Sequence, residues 1–310
     1  MFGLVRLFPP AAQAGTSIPP VKISLPDAEE IYPSIYAIPF SRAGNLILVK
    51  AKADTTEGNF ILDTGCPHLV LNTTYFRQYP VQESDGEGNG ATTGTFFIQQ
   101  TRVADFSFGG NHFYHTDADL TDLGSIENSR GIKVLGLIGV ELLRKFELII
   151  DYENNLIYLH RLDRKGTSVF EQDQLADTAA YQVVPIRIMD NRIMVESQVG
   201  GKKLRLVIDS GSEANLLDSR LPEKVFAEVS ITGRTTMMGV GGKRIDVLKG
   251  ELNTLHIGGV DIPQMKVLVT NLERTCFSHA GCVDGVLGFD FLSLKKIGFN
   301  FVKNKMFVWK

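Results

Sequence analysis

Two short runs place a carboxylate where it could do chemistry: Phe60-Ile61-Leu62-Asp63-Thr64-Gly65 and Leu206-Val207-Ile208-Asp209-Ser210-Gly211. In each, an apolar strand delivers an Asp to a tight turn of small residues. A carboxylate at a strand's end is held rigidly and partly desolvated. The Thr or Ser after it can hydrogen-bond neighbouring backbone, and the Gly lets another chain segment approach. One such tripeptide is only a turn. Here each is followed at a similar distance by an apolar-apolar-Gly segment, Leu137-Ile138-Gly139 and Val286-Leu287-Gly288. The paired pattern predicts that Asp63 and Asp209 meet across a pseudo-twofold axis, each on a loop braced by Gly139 or Gly288, and share one site. Two carboxylates that close cannot both ionise cheaply, so the pair should hold one proton and titrate as a unit.

The elements that must position them repeat. Ala104–His160 and Asn253–Trp309 superimpose without a gap, so that Gly109-Gly110 falls on Gly258-Gly259, Gly136 on Gly285 and Asn155 on Asn304. Coincident glycines imply the same turns made twice. Upstream, Gly44–Asp63 and Asn191–Asp209 both read as a hairpin feeding the Asp turn. Short Val, Ile, Leu and Phe runs between turn residues predict a mostly β chain of two pseudo-symmetric β-barrel lobes with a cleft between them. The lobes are set at 33–162 and 181–310, the polar stretch 163–180 is the linker, and the Pro-rich residues 1–32 form an extended arm or the remnant of a targeting segment. Hairpins are expected at Phe146–Asp151 with Leu156–His160 and at Ile297–Val302 with Met306–Trp309. Short helices are expected at Gly139–Arg144, Gly288–Leu294, Thr73–Gln78 and Arg220–Phe226.

With these motifs the sequence resembles the aspartic proteases of the pepsin and retropepsin clan, and most closely the bacterial single-chain, duplicated retropepsin-like type, over about residues 35–310. The resemblance implies an aspartic endopeptidase with Asp63 and Asp209 as its catalytic pair. Thr64, Gly65, Ser210, Gly211, Ser212, Gly139 and Gly288 would support the active-site loops. It also implies flexible hairpins closing over substrate at Gly86–Phe97 and Gly233–Ile245, with Thr93, Gly94, Gly239, Val240 and Gly241 near the bound chain. The ionised carboxylate would take a proton from water as the water attacks the scissile carbonyl, and the protonated one would stabilise the oxyanion. This chemistry calls for no cofactor and no metal. The expected partner is a peptide or protein substrate in extended conformation, and the chain should act as a monomer because both Asp residues lie in it. The competing reading is a catalytically silent peptide-binding module on the same fold.

Two departures from the family pattern stand out. Ser212 follows Gly211 and can donate to its neighbouring carboxylate, whereas Cys66 follows Gly65 and is a weak donor. That predicts an asymmetric pair with Asp209 preferentially ionised. Neither expected flap contains Tyr; Phe96, Phe97, Met237 and Met238 are the available covers.

Composition narrows the field. The chain has 310 residues, 44% hydrophobic and 22% charged, enough for a substantial core, and a net charge of −3 that gives no footprint for nucleic acid. No apolar run reaches the ~20 residues of a membrane span. Three cysteines are too few for a disulfide scaffold, but Cys276 and Cys282 enclose a hairpin-like stretch and form a possible disulfide in an oxidising compartment. Export to the periplasm or medium is expected from family habit, with the cytoplasm as the alternative. His279 between those cysteines lacks a fourth zinc ligand. The Gly239–Arg244 run lacks the leading Gly and the Ser or Thr of a phosphate loop. Asp117, Asp119 and Asp122 read as a solvated edge.

Overall fold

The computed structural model describes residues 36–90, 94–169, 174–238, 244–273, 276–277 and 281–310. The fold is mostly β, organised in three main sheets. The residue-1–32 arm lies outside the described residues.

An eight-stranded sheet carries Asp63. Its order is Ser41–Ala43, Leu46–Ala53, Thr56–Leu62, Gly136–Ile138, Leu69–Asn72, Asn111–Thr121, Gly94–Phe108 and Gln82–Gly90. A ten-stranded sheet carries Asp209 and runs the same way from Arg192–Val199 through Lys202–Ile208, Gly285–Leu287, Leu216–Asp218, Met265–Thr270 and Arg244–Leu252 to Val229–Met238. They differ at one corner. Gly94–Phe108 is long enough to bend back and pair Phe108 with Ala51, whereas Arg244–Leu252 stops and a separate strand, Leu255–Ile257, pairs Ile257 with Ser197.

The third sheet joins three strands of residues 36–161 edge to edge with three of residues 181–309: Tyr36–Pro39, Leu156–Arg161, Phe146–Asp151, Ile297–Asn300, Lys305–Trp309 and Tyr181–Pro185, in that order. Phe146–Asp151 is buried along its whole length because it is central, with Glu147 opposite His160 on one side and Asn300 on the other. Those three polar side chains are buried, and Asn300 Nδ2 donates to Glu147 Oε2 at 3.3 Å. Around the sheets one continuous core joins residues from Ile38 to Val308, with Phe60, Phe106, Phe291 and Phe299 among its largest fully buried side chains.

Helix is scarce and short. Val140–Leu143 and Phe289–Leu292 follow Gly139 and Gly288, and Glu223–Phe226 occupies the end of the expected segment Arg220–Phe226. Thr73–Gln78 is not a helix but a set of turns. The Asn72 carbonyl accepts from Tyr75 and Phe76 while the Asn72 side chain takes the Thr74 N–H at 3.2 Å, a local bond that competes with a helical ladder. Gly124–Arg130 is helical without having been expected. It has no buried residue and no side-chain N-cap, so it carries neither of the usual sequence signs. The strand expected to reach Val302 ends at Asn300. No helix among the described residues is long and apolar enough to cross a membrane.

Candidate active site

Each Asp is delivered in the same manner. Thr56–Leu62 pairs in parallel with Gly136–Ile138, and the Asp63 N–H continues the ladder to the Ile138 carbonyl at 3.0 Å. Lys202–Ile208 pairs in parallel with Gly285–Leu287, and the Asp209 N–H reaches the Leu287 carbonyl at 2.9 Å. Gly139 and Gly288 then brace the loops. A Cβ at Gly139 would stand 2.7 Å from the Cys66 carbonyl oxygen, and one at Gly288 would stand 2.5 Å from the carbonyl oxygens of Ser212 and Ala214. The residues after them, Val140 and Phe289, donate their N–H groups to the Cys66 and Ser212 carbonyls at 3.0 and 2.9 Å. Buried Asn215 adds a support on the second loop only, accepting from Gly288 N and donating to the Lys266 carbonyl.

The two loops are tied to each other through Thr64 and Ser210, both buried. Thr64 Oγ1 donates to the Ile208 carbonyl and accepts from Ser210 N, both at 2.9 Å. Ser210 Oγ donates to the Leu62 carbonyl at 2.7 Å and accepts from Thr64 N at 3.0 Å. The structure thereby brings the Asp63 and Asp209 carboxyls together as an electrostatically coupled pair. Gly65 lies against Asp209 and Gly211 against Asp63: a Cβ at Gly65 would be 2.5 Å from Asp209 Oδ2, and one at Gly211 2.5 Å from the Asp63 carboxyl carbon. Only glycine leaves that space, for reasons of contact rather than dihedral angle.

Burial lifts both carboxyls above the ordinary range. For Asp63 the neighbouring Asp209 charge and the hydrogen bond between them add to burial, against the N–H groups of Gly65 and Cys66, which donate to Oδ1 at 2.9 and 3.0 Å. It is held well above the usual value. Asp209 is raised less, because its bond from Asp63, the amides of Gly211 and Gly65, and the Arg192 guanidinium favour its ionised form.

Residues 195–291 match the aspartyl protease family model. A search of the curated proteins finds no match to the chain. The matched aspartyl protease stretch contains Asp209-Ser210-Gly211 and Val286-Leu287-Gly288; Asp63 lies outside it.

Of the other expected residues, Ser212 departs from its expected role. It does not serve Asp209: its hydroxyl donates to the Ala214 carbonyl at 2.8 Å, a nearer acceptor within its own turn. Cys66 is free and half-buried, its thiol directed to the His68 carbonyl at 3.3 Å and pushed well up by burial and by Asp63. Gln82–Gly90 and Gly94–Phe108 form a hairpin in which Gly94 stands opposite Gly90; Thr93 lies outside the described residues. Val229–Met238 and Arg244–Leu252 form the second hairpin, and Gly239, Val240 and Gly241, which come between them in sequence, also lie outside the described residues. Met237 packs beside Leu216, Leu272 and Val286, next to the Asp209 strand. Cys282 is disulfide-bonded, and the residue opposite it in the strand pair is Cys276. Asp117 pairs with Arg102 on the surface, while Asp119 is raised by burial.

Two contributors have no motif to announce them. Arg192 Nε donates to the Gly65 carbonyl at 3.1 Å, and Glu213 is gripped from the other loop's neighbourhood by Asn45 and Arg130. A charged residue at a strand start, or two positions after an Asp-Ser-Gly, reads in sequence as surface.

Proposed function

We propose that the chain is an aspartic endopeptidase whose catalytic pair is Asp63 and Asp209. The observation that carries this reading is the close-set carboxyl pair, with each Asp packed against the glycine that follows the other. The aspartyl protease match over residues 195–291 supports the same chemistry for the Asp209 half.

With both carboxyls lifted and mutually coupled, the working state carries one proton and one negative charge. The ionised carboxylate takes a proton from the attacking water. The protonated one donates to the scissile carbonyl oxygen and so stabilises the tetrahedral oxyanion. When the C–N bond breaks, the proton gained from water passes to the leaving amine. The oxyanion's proton returns to the pair as the new carboxyl forms, which restores one proton per pair.

In this reading the halves 33–162 and 181–310 are the two lobes and the substrate lies between them as an extended strand. The Gly86–Phe97 and Gly233–Ile245 hairpins add main-chain hydrogen bonds to it. Because one chain supplies both Asp residues, the monomer is the active form. The disulfide at Cys282 supports an oxidising compartment and hence export.

The test is cleavage of a mixed peptide library from pH 3 to 8 by the wild type, Asp63→Asn and Asp209→Asn, with a statine-type inhibitor. Cleavage lost in both variants and blocked by the inhibitor is expected. A wild type that binds peptides without cutting at any pH overturns the reading in favour of a silent binding module.

A further inference from the structure

Arg192 opens the strand Arg192–Val199 and reaches across to the Asp63 loop. Its Nε donates to the Gly65 carbonyl and its Nη1 to the Asp190 carbonyl, both at 3.1 Å, so the guanidinium is fixed at two points. The residue it holds, Gly65, touches both members of the pair. Its N–H donates to Asp63 Oδ1 at 2.9 Å, and its α-carbon faces Asp209 so closely that no side chain fits between. A permanent cation therefore sits one residue from the two carboxyls.

That cation has no counterpart. Leu48 pairs with Ile61 in the first hairpin as Met194 pairs with Val207 in the second, which sets Leu46 in register with Arg192. Leu46 is buried and apolar. The other groups facing the pair do not substitute for Arg192. Burial pushes the Cys66 thiol and the Tyr152 phenol upward, so both stay neutral where carboxyls titrate. Arg42 lies beyond the Tyr152 ring, 5.9 Å from its centroid, and Asp190 carries negative charge toward Arg192 rather than toward the pair.

We propose that Arg192 is a positioning residue that acts as the built-in counter-ion of the Asp63–Asp209 pair, stabilising its singly ionised state and thereby setting the acidic limit of cleavage. This rests on the catalytic reading above. Desolvation alone drives two buried carboxyls toward full protonation, in which state neither can act as base. An opposite charge nearby works against that drive. The burial that lifts the carboxyls also depresses Arg192 from its usual range, yet a guanidinium stays protonated throughout the acid range.

The experiment compares the full-length wild type with Arg192→Gln, Arg192→Met and Arg192→Lys. Gln retains a donor for the two carbonyls, Met matches the apolar character of Leu46, and Lys retains the charge. Two readouts are taken: the pH profile of kcat/KM, and carboxyl-carbon NMR titration of Asp63 and Asp209, which needs no activity. The expected result is that the first ionisation of the pair and the acidic limb both move to higher pH in Gln and Met, by roughly one unit, a tenfold change in proton affinity. The alkaline limb should move the same way, and Lys should stay near the wild type. Unmoved titration in either neutral variant overturns the proposal, as does equal movement in Lys. Failure of both neutral variants to fold also overturns it, making Arg192 a structural residue. A wild type that never cleaves, but whose titration responds to Arg192 as described, removes the endopeptidase reading and leaves the counter-ion in place.

Discussion

Thr64 and Ser210 each satisfy the other's backbone: the hydroxyl of one takes the N–H of the other and donates to the carbonyl two residues before it. Both side chains are buried, so every group in this four-bond ring lacks water as a substitute. Thr64→Val should destabilise the protein by roughly 2–4 kcal/mol, because the Ser210 amide and the Ile208 carbonyl both lose a partner. Thr64→Ser, which keeps the oxygen, should cost less than about 1 kcal/mol. Urea unfolding of the two variants measures this, and equal stability of Val and wild type would show that the ring is dispensable.

The coupled carboxyls should lower stability at neutral pH. Asp63 is held above its unfolded value, so folding prefers the protonated form. Its cost is absent below the unfolded value near pH 4 and grows as pH rises through the folded value. Asp63→Asn should therefore melt above the wild type at pH 7, by on the order of 1 kcal/mol or ~2–4 °C after allowing for solvent at the half-buried pair, and the gap should close by pH 3.5. Asp209→Asn should show the same sign with a smaller gap, since Asp209 is raised less. A variant less stable than wild type at pH 7 contradicts a carboxyl held neutral by burial and its neighbour.

Gly65→Ala and Gly211→Ala test the close approach. Each new methyl would meet the opposite carboxyl group, and the carboxyl cannot yield without leaving its partner. Since misplacement by about 1 Å costs on the order of 100-fold in rate, kcat should fall at least that far in both. Circular dichroism should remain that of the wild type. Retained activity would mean the carboxyls can separate and still function.

Glu213 links the Asp209 loop to the Asp63 sheet. Its Oε1 accepts from Asn45 N at 2.9 Å, its backbone carbonyl accepts from Asn45 Nδ2 at 3.2 Å, and its other carboxylate oxygen pairs with Arg130. Glu213→Ala should cost about 1–3 kcal/mol, chiefly by leaving the Asn45 amide without its acceptor. A double-mutant cycle with Arg130→Ala should give a coupling near 1 kcal/mol, because both side chains are only about two-thirds buried. A coupling of zero would assign the effect to the Asn45 bond alone.

The carboxyl pair and its hairpins are readable because strand period, turn glycines and a repeated Asp-Thr/Ser-Gly all agree at those positions. What was illegible depended on three-dimensional competition. The Ser212 hydroxyl had two acceptors to choose from, and the turn supplied the nearer one at Ala214. Arg192 looked like any polar residue opening a strand, yet it occupies the register of Leu46 and reaches a carbonyl 127 residues away. The Thr73–Gln78 segment failed as a helix because Asn72 captures the following amides, and only Phe76 of that segment is deeply buried to reward any regular stripe.

The six-stranded sheet, built half from each part of the chain, bears on what happens when the chain is cut. Phe146–Asp151 from the first half and Ile297–Asn300 from the second hydrogen-bond directly, so separating 36–162 from 181–310 would strip one long edge from each fragment. An exposed edge of buried apolar residues seeks another strand. Fragments made separately should aggregate or pair with copies of themselves. Fragments made together should recombine through that edge, so that a nick in the connecting stretch yields a split protein that reassembles without a covalent tether.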